Sequence, residues 1–189
     1  LSNTQLKWCL CPQSNTATFD SIYVNRIYIN SLYSDGSSNN NSSYGTTRFG
    51  YLAMPNTSMY SSWWSYNSYR NTVVGAYAGY SNYSGDENSL FGFQAGYSLS
   101  YGGQNTCIGC GSGYKTTSST SNVYIGHKSG YNLNGSRNTV IGSEALYSAT
   151  SWSMTDNVII GHRAGYQLLY GKQSVCIGYK SAGACVGPS

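Results

Sequence analysis

One pattern of apolar, small and polar positions recurs seven times along the C-terminal two thirds of the chain. Six copies begin with Asn, and all continue through two or three apolar or β-branched residues to a central Gly. The central glycines are 17, 17, 17, 16, 19 and 17 residues apart, which identifies an internal repeat. They are Gly75, Gly92, Gly109, Gly126, Gly142, Gly161 and Gly178.

Each copy predicts a short β-strand followed by a tight turn. The spacers between copies are short and rich in Gly, Ser, Asn and Thr, and no 3.6-residue period of a helix appears. The fold class is therefore all-β: a parallel β-solenoid of about seven 17-residue coils over residues 71–183. Residues 1–70 are expected to form an irregular arm or cap with short strands and loops, and residues 184–189 a tail. Arg48-Phe49-Gly50 looks like a decayed copy, but its 25-residue spacing to Gly75 breaks the period.

The repeat also predicts which side chains face the interior. The residue before each central Gly is always large and apolar, and we expect it to point inward, as in Ile108, Ile125, Ile141, Ile160 and Ile177. Side chains alternate along a strand, so the residue before it would point outward. That outward column is also apolar and indicates an assembly surface, unless a spacer or the N-terminal segment covers it. The assembly residues would be Val73, Leu90, Val140 and Ile159, joined by Trp8 of the arm.

Three further columns have a structural interpretation. The position three residues after the central Gly holds only Ala or Ser, which predicts a tight interior corner, and the two positions between should face solvent. Stacked coils would align the Asn that opens six copies into a ladder of side-chain amides. The Tyr that closes the same copies, at Tyr80, Tyr97, Tyr114, Tyr131, Tyr147 and Tyr166, would form a second ladder.

The motif N-[ST]-x-[IV]-G-x-x-[AS]-[GL]-Y, over Asn71–Gly183, resembles repeats of phage and viral tail-fibre proteins. It is also similar to the head repeats of trimeric autotransporter adhesins of the YadA type. The resemblance implies a parallel β-roll, usually in a homotrimer, that serves as a shaft or in adhesion.

Composition narrows the class of protein. Charged residues make up 8% of the chain, whereas Tyr and Gly number 20 and 23. This suits a β-rich surface outside the cell, so we expect an extracellular, cell-surface or virion-surface location. The net charge of +4 is not clustered, so no nucleic-acid partner is expected, and no apolar run is long enough to span a membrane.

The sequence offers little reactive chemistry. Six cysteines favour structural thiols or disulfides over a metal site, with Cys9, Cys11 and Cys185 as candidates for disulfides that crosslink subunits. Cys107 and Cys176 occupy one column four coils apart, which excludes a disulfide between them. His127 and His162 lie in a mixed column typical of a surface. We expect no cofactor and no metal, and no enzyme, with polysaccharide cleavage as a less favoured alternative.

Sequons mark candidate glycosylation sites at Asn40, Asn41, Asn56, Asn82 and Asn134. The pair Trp63-Trp64 fits either a carbohydrate platform or a buried contact with the solenoid. The sequence therefore predicts a structural, self-assembling subunit of an extracellular fibre or filament that is adhesive or surface-presenting. The alternative is a module that binds cell-surface glycans or a receptor. The expected partner is a further copy of the chain, in a trimer or a helical filament.

Overall fold

The chain is an all-β parallel β-solenoid, as the repeat predicts. The computed structural model describes residues 46–55, 68–149, 154–168 and 171–181, and these ranges contain no helix. Eight three-residue strands form one parallel sheet in the order β1 to β8, so that each coil adds one strand beside the last. The strands are β1 Thr47–Phe49, β2 Thr72–Val74, β3 Ser89–Phe91, β4 Thr106–Ile108, β5 Val123–Ile125, β6 Thr139–Ile141, β7 Val158–Ile160 and β8 Val175–Ile177.

The sheet begins earlier than the regular repeat. Strand β1 pairs with β2 in the same register as the later strands, with Phe49 opposite Val74. The Gly50 backbone stacks on that of Gly75, since a Cβ built on Gly50 would lie 2.7 Å from the Gly75 carbonyl carbon. Arg48-Phe49-Gly50 is therefore a copy of the motif within the segment assigned to an arm or cap.

Hydrogen bonds join successive coils beyond the strands. The Gly92 N–H donates back to the Val74 carbonyl at 2.8 Å, whereas the Gly79 N–H donates forward to the Ala95 carbonyl at 2.9 Å. The spacers continue this bonding, for example from the Ser81 N–H to the next coil at 2.9 Å. Each coil is thus held to its neighbours through strand, turn and spacer, which satisfies backbone groups that a single strand per coil would leave unpaired.

The prediction of which strand side chains point inward was wrong. The middle residue of each strand from β2 onward points into the core and not outward. The residue before the central Gly faces out, with Ile108 40% and Ile177 65% exposed. The middle and the last residues of the strands are both apolar. Alternation therefore places them on opposite faces but does not say which face is interior. The buried middle column is Val73, Leu90, Cys107, Tyr124, Val140, Ile159 and Cys176, so the proposed assembly residues Val73, Leu90, Val140 and Ile159 belong to the core.

The spacers supply the opposite wall of the core, a feature that the sequence analysis missed. The position seven residues after each central Gly is buried in every described coil from β2 to β7, and it includes Leu99, Leu133 and Leu168. Large and small residues compensate across the interior. A Cβ on Gly113 would lie 2.8 Å from the ring of Tyr124 and 2.9 Å from the Cys107 sulfur, so this glycine makes room for the tyrosine.

The predicted corner and both ladders are confirmed. The corner residues Ala78, Ala95, Ser112, Ser129, Ala145 and Ala164 are fully buried. Neighbouring tyrosines of the Tyr ladder stack with ring centroids 4.9–5.3 Å apart. The Asn ladder runs from Asn71 to Asn157 and ends at Ser174, whose N–H donates to Asn157 Oδ1 at 3.0 Å.

Candidate functional site: the outer face of the sheet

The outward side chains of the sheet form a regular, largely apolar surface. Its first column comprises the first residue of each strand, and its second column comprises the last, which precedes the central Gly. From β4 to β8 the second column is an unbroken row of isoleucines, here called the Ile face: Ile108, Ile125, Ile141, Ile160 and Ile177. These residues are half-buried or exposed, and Thr or Val from the first column flanks each of them.

Aromatic residues replace the isoleucines at the N-terminal end of this surface. Each strand and the turn after it form one rung of the stack. Phe49 and Tyr51 extend from the first rung, that of β1, and are 69% and 67% exposed. Phe91 and Phe93 extend from the third rung and are 39% and 48% exposed. The second rung between them carries the smaller Val74 and Ala76, and the ring of Tyr77 from the same rung makes edge contacts with Tyr51 and Phe93, with centroids 5.5 and 6.1 Å apart.

The polar side chains of neighbouring coils pair along the solenoid. Arg70 contacts Glu87 at 2.8 Å, and Gln104 also donates to Glu87, at 3.1 Å. The hydrogen bond from Gln104 and the charge of Arg70 hold the Glu87 pKa below its usual value. The residues of this column precede the Asn ladder and adopt positive φ, as Glu87 does at 59°.

The other carboxylates with a shifted pKa are neutralised in the same way. Arg163 lies 2.6 Å from Glu144, and Arg137 lies 2.6 Å from Asp156. In each pair, the hydrogen bond from the guanidinium lowers the pKa of the carboxyl group. A glycosidase needs a carboxylic acid whose pKa is raised, and these groups are shifted in the opposite direction.

The thiols of the described coils differ in environment. Cys107 is a free, fully buried thiol, and burial raises its pKa to about 12. Tyr124, Val140 and Ile159 separate it from Cys176 in the middle column, so the predicted absence of a bond between these cysteines is confirmed. Cys110 is a free thiol on the outside.

Both histidines, His127 and His162, are exposed and two coils apart. Within the described ranges, no three His, Cys, Asp or Glu residues come together in a way that could hold a metal ion.

The candidate glycosylation sites have different outcomes. Asn82 is fully buried, and its Oδ1 accepts hydrogen bonds from the Gly85 N–H at 3.0 Å and the Ser68 hydroxyl at 2.8 Å. This prediction was wrong, because a buried amide cannot carry a glycan. Asn134 is half-buried in a spacer and stays a prediction. Trp8, Cys9, Cys11, Asn40, Asn41, Asn56, Trp63, Trp64 and Cys185 lie outside the described residues.

The fold and its outer face define the class of the protein as a parallel β-solenoid with one sheet and an apolar exposed surface. Comparison with known proteins found no matching family, no similar curated protein and no similar solved structure. In the part of the chain that the structure describes, no helix has the length and apolar character needed to cross a membrane.

Proposed function

We propose that this chain is a structural, self-assembling subunit of an extracellular fibre or filament. The observation that carries the proposal is the Ile face, a continuous apolar row on five successive coils of the solenoid. Isoleucine and valine on a regular sheet surface can interdigitate with an identical surface and exclude water. An exposed apolar row of this kind, repeated on successive coils, is typical of a contact between proteins.

The rest of the solenoid supports this role. The described parts of its coils are bonded to one another through strand, turn and spacer, which suits a stiff shaft that presents surfaces at fixed spacing. The chain carries few charges, so little electrostatic repulsion opposes the approach of copies. We further propose that the protein is adhesive or surface-presenting and not an enzyme. The carboxylates described above support this, because each forms an ion pair with an arginine of a neighbouring coil.

Charge placed on the Ile face tests the proposal. The double variant Ile125→Lys, Ile160→Lys puts two cations into the row without entering the core, because both side chains face outward. Sedimentation velocity of the full-length chain at micromolar concentration should show an oligomer for the wild type. The variant should be monomeric, because a lysine buried between copies would have to lose its hydration.

A matched control adds the same two charges elsewhere. Ser118→Lys, Gln167→Lys changes exposed spacer positions and leaves the Ile face intact. This control should sediment as the wild type does, and circular dichroism should show that all three proteins keep the same fold. A monomeric wild type, or an Ile125→Lys, Ile160→Lys variant that assembles normally, would contradict self-assembly through this face.

A second candidate function is the binding of a glycan or a receptor. The aromatic surface of the first three rungs favours it, because Phe49, Tyr51 and Phe93 leave large ring areas exposed to solvent.

A further inference from the structure

The Tyr ladder places six phenol side chains in one continuous stack. The six rings are half-buried, so part of each ring is open to solvent. Neighbouring ring centroids lie 4.9–5.3 Å apart, and the planes of neighbouring rings are inclined by only 4–20°. Because the rings are equivalent side chains of successive coils, the ring carbons beside each hydroxyl face the same carbons of the next ring.

The pair formed by Tyr131 and Tyr147 differs from the other four pairs of the ladder. These two tyrosines are 16 residues apart, one residue fewer than the 17 that separate most copies of the motif. Their ring planes are inclined by 20°, whereas the other pairs are inclined by 4–11°. Inclined rings bring one pair of edges nearer than the ring centroids, which are 5.1 Å apart in this pair.

Further interactions show that the two side chains lie close along their length. Lys128 Nζ lies 5.9 Å from the ring centroids of both Tyr131 and Tyr147, so one cation contacts two rings. Burial raises the pKa of Tyr131, and the charges of an ionised Tyr147 and an ionised Cys110 raise it further. Repulsion between two phenolates acts only over short distances at a hydrated surface, so the hydroxyl ends of the two rings are near each other.

We propose that Tyr131 and Tyr147 form a site of oxidative crosslinking, at which a carbon–carbon bond joins the two rings and links successive coils. Each phenol gives one electron to a metal-centred one-electron oxidant, such as the oxidised haem of a peroxidase, and one proton to water. The two phenoxyl radicals couple at carbons beside their oxygens, and each ring returns to a phenol when the hydrogen on the coupled carbon moves to oxygen. In total two electrons and two protons leave, and two equivalents of oxidant are each reduced by one electron.

The stack supplies the proximity that radical coupling needs. Two phenoxyl radicals must meet before other reactions consume them, and neighbours in one stack do not have to diffuse together. The final approach requires rotation about side-chain bonds, for which half-exposed rings have room. The product would close a covalent loop between two coils, as a disulfide does, but reducing agents would not open it. The inference goes beyond the proposed fibre role and does not depend on assembly through the Ile face.

Light-driven oxidation of the full-length protein tests the site, with tris(bipyridine)ruthenium as the oxidant and persulfate to regenerate it. Accessible thiols such as that of Cys110 are alkylated first, because a thiol would reduce the phenoxyl radical. Trypsin cleaves after Lys and Arg and releases residues 129–137 and residues 138–163, whose only tyrosines are Tyr131 and Tyr147. A bond between these two peptides, detected by mass spectrometry, therefore identifies the pair.

An exposed tyrosine outside the ladder provides the comparison. Tyr179 is 67% exposed, its ring lies beside that of His162, and it is the only tyrosine of the tryptic peptide 173–180. The Tyr131–Tyr147 bond should be about tenfold more abundant than any bond through Tyr179, because stacking and not exposure provides the partner. Oxidation in concentrated urea should remove this preference.

Two matched variants check the assignment. Tyr131→Phe keeps an aromatic ring in the stack but cannot form a phenoxyl radical, so the bond between the two peptides should disappear. Tyr179→Phe makes the same chemical change outside the ladder and should leave the yield of that bond unchanged. Circular dichroism should show that both variants keep the fold of the wild type.

Three results would overturn the inference. No bond between the two peptides, at a dose of oxidant that modifies Tyr179, would mean that the stacked rings do not couple. Equal yields of bonds through Tyr131 and through Tyr179 would make exposure the determinant. In a mixture of isotope-labelled and unlabelled protein, bonds that join labelled to unlabelled peptides would place the coupling between copies of the chain and not between coils.

Discussion

Asn105 donates two hydrogen bonds to one atom of Asn88 in the preceding coil. Its backbone N–H lies 2.9 Å from Asn88 Oδ1, and its side-chain Nδ2 lies 3.1 Å from the same oxygen. The Nδ2 group also donates to the Ser119 carbonyl at 2.8 Å. One side chain thus ties its own spacer to the strand of the neighbouring coil.

Removing one rung of this ladder should destabilise the fold. Asn105→Ala would leave the buried Ser119 carbonyl and the Asn122 N–H without their partners, each at a cost of about 1–3 kcal/mol. Urea denaturation should show a loss within that range or above it. Gln104→Ala is the control, because Gln104 is the exposed neighbour and its replacement should change stability by less than about 0.5 kcal/mol. Equal losses for the two variants would contradict the ladder.

The central glycine should not tolerate a side chain. A Cβ on Gly109 would lie 2.6 Å from the Gly126 carbonyl oxygen, and Gly109 has φ of 128°, which L-residues rarely adopt. We expect Gly109→Ala to lose at least about 3 kcal/mol of stability in thermal or urea unfolding.

Gly111→Ala is the matched comparison for Gly109→Ala. Gly111 also has positive φ, at 64°, but a Cβ there would meet only ordinary contacts at 3.4 Å or more. Its loss should be about 1–2 kcal/mol, the cost of left-handed backbone alone. If Gly109→Ala lost no more than this, the close approach of the two backbones would not be what requires glycine.

Two adjacent isoleucines in β7 distinguish the core from the outer face. Ile159 is fully buried, whereas Ile160 points outward. Ile159→Ala should cost about 2–5 kcal/mol, because the truncation leaves a cavity in the core. Ile160→Ala should cost less than about 1.5 kcal/mol when unfolding is measured at low protein concentration. A larger stability loss for Ile160→Ala than for Ile159→Ala would mean that Ile160 faces the core, as the sequence analysis expected.

Thiol labelling should divide the cysteines by their position. Alkylation of the native protein, followed by mass spectrometry of peptides, should modify Cys110 rapidly and Cys107 only after denaturation. Cys107 is buried and its pKa of about 12 leaves almost no thiolate at neutral pH. Rapid native labelling of Cys107 would show that the middle column does not face the core.

The protein should lose stability in alkaline solution. Burial raises the pKa of Cys107 to about 12 from an unfolded value of 9.0, and burial also raises the pKa of Tyr124. The unfolded chain therefore releases protons that the folded chain retains. The Cys107 contribution is fully present below pH 9 and is lost as the pH rises from 9 towards 12.

The Cys107→Val variant isolates the thiol. Valine already occupies the same column at Val73 and Val140, so it should fit the core. Between pH 9 and 10, the free energy of unfolding should fall less steeply for the variant than for the wild type. The difference should approach about 1.4 kcal/mol per pH unit, the effect of one proton. Identical slopes would mean that Cys107 ionises equally in both states.

Much of the solenoid follows from the sequence, because a repeat of nearly constant length constrains every coil alike. The 17-residue spacing aligns equivalent positions, and the Asn and Tyr ladders follow since each side chain meets its own kind one coil away. The even spacing of the central glycines also predicted a solenoid, because the short spacers leave no room for a helix. The repeating columns of the motif could be predicted from the sequence. The burial of the spacer residues was missed, although Leu99, Leu133 and Leu168 each lie seven residues after a central glycine.

The tertiary structure alone decided which face is interior. Ile159 and Ile160 are equally apolar, so hydrophobicity cannot choose between them; the choice depends on the side towards which the turn after Gly161 and the following spacer close. It also decided that Thr47–Phe49 belongs to the sheet, because register depends on stacking and not on the number of residues between strands. The exposed aromatic surface depends on that decision, since Tyr51 and Phe93 stand on either side of Ala76 only when β1 stacks on β2. The sequence by itself determined the repeating contacts within the stack, whereas closure of the coil determined which surface is left exposed.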